Sequence, residues 1–125
     1  RQPTDCAAAW RVGYAAAVAD AGLDVLTLGA LTGPFGVVGD GVRYPAFEAA
    51  CRLSRVAGKP ARLVESADPS RVLALCGGDR VLVANISPEP VQVSLADPGR
   101  REEGGSKPFV IAGYGIAECS LEALR

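Results

Sequence analysis

Histidine and methionine are absent from this 125-residue chain, and aromatic residues make up only 6% of it. Without histidine, no Ser-His or Cys-His nucleophilic pair can be assembled from these residues alone, and no mixed Cys/His zinc set can form. The chain opens on Arg1. A translated chain starts with methionine, which is trimmed only before a small residue, so the sequence is expected to be a piece of something longer. Lys and Arg number 13 against 14 Asp and Glu, with no basic run or stripe. The electrostatic footprint of a nucleic-acid binder is therefore missing. No apolar run is long enough to span a bilayer, so no membrane partner is expected. Cys6, Cys51, Cys76 and Cys119 are far apart and sit among apolar neighbours. They read as reduced core residues rather than disulfides or metal ligands, which points to a reducing, cytoplasmic setting. No metal or cofactor is expected. Asn85-Ile86-Ser87 has the form of a glycosylation sequon, but Pro88 follows directly and the tripeptide carries no weight.

What is present is ample apolar content, 49% of the residues, with a net charge of only -1. That suffices for a packed core and excludes global disorder. Residues 4–21 are helix formers and small apolar groups, with Thr4 to cap and Gly22 to stop. Trp10, Tyr14 and Val18 fall at i, i+4, i+8, and the spacing predicts that they pack into a core. Residues 24–29 lack polar alternation, as a parallel strand covered on both faces does. A glycine-rich loop leads to Pro45, which opens a second helix through Val56 with Phe47, Ala50, Cys51 and Ser54 on its expected buried face. Gly58 and Pro60 stop it. Helix, buried strand, loop and helix make the closing unit of a (β/α)8 barrel.

Beyond Pro60 the apolar period falls to two. Segments 62–65, 71–76, 80–86, 91–95, 109–112 and 115–119 read as short strands, with turns at 77–79 and 87–90. The chain as a whole is thus expected to be α+β, with a barrel unit over 1–60 and an antiparallel β-sandwich over 61–125. Residues 97–106 are expected to form a solvated connection. An isolated chain would expose Val25, Leu26 and Leu28 on a strand without neighbours, so self-association is expected.

Loops that follow barrel strands line the active site, which makes the 29–44 segment the place to look for chemistry. Its Thr32, Asp40 and Arg43 are the substrate-cleft candidates. The segment contains no GK[ST] and no GxGxxG, so a phosphate cradle is a poor match. Its glycines 33, 36, 39 and 41 could equally serve only to let a long loop turn.

The residues Ala8-Ala9-Trp10-Arg11-Val12-Gly13, then 24–28, then Leu31-Thr32-Gly33-Pro34-Phe35-Gly36, then Tyr44-Pro45, resemble the last barrel unit of the D-apionate lactonase-like proteins. Val83-Ala84-Asn85-Ile86-Ser87-Pro88-Glu89-Pro90 and Gly113-Tyr114-Gly115-Ile116-Ala117 resemble their C-terminal β-sandwich. The same layout is similar to many retaining glycoside hydrolases. The resemblance implies a parent hydrolase acting on a sugar or sugar lactone, with this stretch a structural, cleft-lining part that is inactive alone and packs on an upstream barrel. It also implies an acidic residue at the end of the barrel strand, where this sequence has Gly29, Ala30 and Leu31. The competing class is a stand-alone carbohydrate-binding or protein-interaction module. Against it, the β region offers only Phe109 and Tyr114 as a sugar-stacking surface.

Overall fold

Strand β5, Arg80–Asn85, is apolar from Val81 to Ala84 without alternation, because it lies at the centre of the molecule with both faces covered. The computed structural model describes residues 4–19, 26, 38–39, 41–62, 64–96 and 108–121. β5 pairs antiparallel with β4 (Val72–Gly77) on one side and β8 (Ile116–Ser120) on the other, and β3 (Ala61–Arg62) extends the sheet beyond β4. The order is β3-β4-β5-β8. Gly78, at φ +63, supplies the positive backbone angle that a two-residue hairpin between β4 and β5 demands.

The two faces of this sheet meet different partners. Val81, Val83 and Cys76 point toward a second, two-stranded sheet, β6 (Val91–Val93) with β7 (Phe109–Ile111), and share a core with Val91 and Ile111. Leu82, Ala84 and Leu75 point the other way, into a core with Ala8, Val12, Ala49 and Val56 of two helices. These are α1, Asp5–Val18, and α2, Pro45–Val56. The result is an antiparallel sandwich whose larger sheet carries a helical layer on its outer face. Leu82 and Val12 are fully buried. Each contributes roughly 1.5–3 kcal/mol by leaving water.

Both helices start where the sequence places them. Thr4 caps α1, its hydroxyl accepting from the Ala7 amide at 3.2 Å, and Pro45 opens α2. Their buried faces differ from expectation. On α1 the buried residues are Ala8, Ala9, Arg11, Val12 and Gly13, whereas Trp10 and Tyr14 are 52% and 53% exposed. The reason is clearance. A Cβ on Gly13 would lie 3.0 Å from Ile86 and 3.3 Å from Leu73, so the helix comes too close to the sheet for an aromatic ring to fit between. On α2 the buried residues are Ala46, Ala49 and Val56, with Leu53 beside them; Ser54 is exposed and Phe47, Ala50 and Cys51 are half-buried. The small residues again take the side toward α1 and the sheet.

Residues 57–60 carry the chain from α2 straight into β3, through Gly58 at φ +74. Gly77 is needed at this junction, since a Cβ there would lie 2.7 Å from the Val56 carbonyl. Arg52 of α2 donates to the Ile116 carbonyl at 3.2 Å, and Glu118 of β8 accepts from both Arg55 of α2 and Arg80 of β5. The two arginines are half exposed, so this pair of bridges orients more than it stabilises. The strand predicted at 24–29 lies outside the described residues apart from half-buried Leu26, and the 97–106 connection lies outside them entirely.

Candidate functional site

Of the three cleft candidates, only Arg43 is among the described residues; Thr32 and Asp40 lie outside them. Arg43 sits on a short hairpin that the sequence did not announce, β1 (Val38–Gly39) with β2 (Val42–Arg43), Val38 pairing with Arg43 and Gly39 with Val42. The available signal was Asp40-Gly41, a common hairpin dipeptide, and Gly41 has φ +74. The hairpin runs directly into α2 through Tyr44, whose hydroxyl lies where a Cβ on Gly39 would stand. A side chain at 39 would displace the Tyr44 ring. One turn into α2, the Phe47 ring lies under the Arg43 guanidinium, 4.9 Å from centroid to Cζ. The cation lies over the ring face and remains exposed to solvent. An Arg held in this way can accept a carboxylate through two parallel hydrogen bonds.

A second cluster lies where α1 meets the sandwich, and it gathers three of the stretches singled out in the sequence. Asn85, fully buried at the end of β5, donates through Nδ2 to the carbonyls of Glu89 (2.7 Å), Ala112 (3.1 Å) and Ile111 (3.3 Å). Its Oδ1 accepts from the Ser87 amide at 2.9 Å and the Ser87 hydroxyl at 2.7 Å. The side chain ties the 86–90 connection to the turn between β7 and β8. Gly113 of that turn packs directly on Pro88, where a Cβ would fall 2.1 Å from the carbonyl oxygen.

Tyr114, the next residue, has φ +57, a left-handed angle usually left to Gly or Asn at the third position of such a turn. Its amide donates to the Ser87 carbonyl at 2.9 Å, which holds the turn against the 86–90 connection. Desolvation, with the Cys6 thiol adding to it, pushes the Tyr114 hydroxyl above the usual tyrosine range. Arg11, buried in the same helix, has its pKa lowered by desolvation. Nothing in this cluster is a nucleophile beside a base, and its chemistry is that of a joint.

The cysteines, all among the described residues, are free thiols. Among the described residues no group of His, Cys, Asp or Glu could hold a metal ion, and no helix is long and apolar enough to cross a membrane.

Comparison with known proteins follows the same division. Residues 1–58 match the TIM barrel domain of D-apionate lactonase, and residues 69–119 match its C-terminal immunoglobulin-like domain. The chain therefore belongs with the D-apionate lactonase-like proteins, as a stretch of TIM barrel followed by an immunoglobulin-like sandwich. It is similar to the D-apionate lactonase of Brucella anthropi, 38% identical over 97 residues that cover 72% of this chain and 16% of that relative. The chain thus spans far less than two thirds of the length of the curated relative it matches. No solved structure matches it.

Proposed function

We propose that this chain is the closing helical unit of a barrel, with its boundary near residue 60, and the sandwich of a bacterial sugar lactonase-like hydrolase. In this reading its own role is structural and cleft-lining, and it does not hydrolyse a lactone alone. The observation that carries the reading is the shared core of α1, α2 and the larger sheet, which joins the barrel-matched and sandwich-matched stretches through Val12, Ala49, Leu82 and Ala84. Residues 29–44 form one wall of the substrate cleft, with Thr32, Asp40 and Arg43 facing it. Arg43, held over the Phe47 ring, suits the carboxylate of a small sugar acid, the product of opening a sugar lactone. Gly29, Ala30 and Leu31 stand where an acid is expected, so the reacting carboxylate comes either from Asp40 or from elsewhere in the parent.

The test is Asp40→Asn in the full-length protein, assayed for hydrolysis of a sugar lactone. If Asp40 does acid-base work, turnover falls by about a hundredfold or more. Unchanged turnover with unchanged substrate affinity reduces the loop to a spacer.

One observation favours a second reading, a carbohydrate-binding module: Trp10 and Tyr14 are exposed together on one helix. Both rings are on the helical layer rather than the sandwich, which weakens it.

A further inference from the structure

Trp10, Tyr14 and Ala17 share a narrow stripe of α1, all three exposed, and none carries a charge. The other sides of the helix are occupied. Ala8 and Val12 enter the core with Ala49 and Val56 of α2 and with Leu75, Leu82 and Ala84 of the sheet. Gly13 lies against Ile86 and Leu73. Half-exposed Trp and Tyr at helical spacing are costly to leave in water unless something covers them, since each buries a large apolar area when packed.

From this stripe we infer that Trp10 and Tyr14 are the contact through which α1 packs on the strand-helix unit that precedes it in the parent barrel. Two observations select that occupant. Among its described residues the barrel-matched stretch holds one helix pair, whereas a barrel places its helices in a ring, so α1, with α2 on one flank, needs a neighbour on the other. The relative is about six times longer than the matched stretch, which leaves room for that neighbour. The partner surface should be apolar, with acceptors at its rim for the indole N–H and the phenol.

This inference rests on the barrel reading above, and its test separates the two. Hydroxyl-radical footprinting of the native full-length protein, read by mass spectrometry, needs no variant. Rates are normalised to the same residues in the unfolded protein, with the exposed Val110 as an internal reference. Trp10 and Tyr14 should be oxidised several-fold more slowly than that reference, at every protein concentration. Oxidation at the exposed rate overturns the inference. So does protection that appears only as concentration rises, which would mean a second copy covers the stripe, or only when a sugar acid such as gluconate is added, which would make it a sugar platform. Lactone hydrolysis is measured on the same sample. An active lactonase with accessible Trp10 overturns this inference alone, whereas protected rings in a protein without lactonase activity support it and remove the proposed activity.

Discussion

Asn85 shows how one polar side chain can organise the end of a sandwich. Replacing it with alanine removes three donated and two accepted hydrogen bonds and leaves the Ile111 carbonyl buried beside an apolar methyl. We expect Asn85→Ala to cost about 3 kcal/mol, because a broken buried network carries the desolvation of every group left behind. Chemical denaturation should show it, and a loss below about 0.5 kcal/mol would mean that water replaces the side chain. Little of this was legible in the sequence. Asn85-Ile86-Ser87 looks like a chance sequon, and only the Asn-x-Ser-Pro-x-Pro order, typical of a turn built on an Asn side chain, could have signalled the joint. The left-handed Tyr114 was less legible still, since a local rule assigns that position to glycine. Its amide is held by the Ser87 carbonyl, far from it in sequence.

Strands and helices were read better than the faces they bury. Short apolar runs bounded by turn residues located β4 through β8 to within a residue or two, because both signals are local. Which side of α1 and α2 faces inward is not local. It depends on how closely the sheet approaches, and that distance is set by Gly13, Gly77 and the alanines rather than by the largest apolar residues. A consequence for the sheet concerns its thiols. Burial, with Asp79 adding and Arg62 opposing, pushes the Cys76 thiol up, and burial with Glu118 does the same to Cys119. A raised folded-state value means that the stability these thiols contribute is complete below the ordinary thiol range. It is lost as pH rises through that range toward the folded value. The melting temperature should therefore fall as pH rises through and above the ordinary thiol range, and Cys76→Ala should flatten part of that fall. An identical alkaline slope in the variant would show that Cys76 ionises equally well when folded.

For the molecule as a whole, three of the stretches that mark the family converge on a junction rather than on reacting groups. The Ala8 to Gly13 stretch packs on the sheet, and Asn85 to Pro90 interlocks with Gly113 and Tyr114. The barrel helices and the sandwich accordingly share one core. The most direct test is hydrogen exchange on the native full-length protein carrying Val12→Ala, a substitution that leaves a cavity between α1 and the sheet and costs roughly 2 kcal/mol. A common core predicts faster exchange both in α1 and at the amides of Leu82 to Ala84 across the interface. Faster exchange confined to α1, with the β5 amides as protected as before, would contradict it and leave two domains that merely touch.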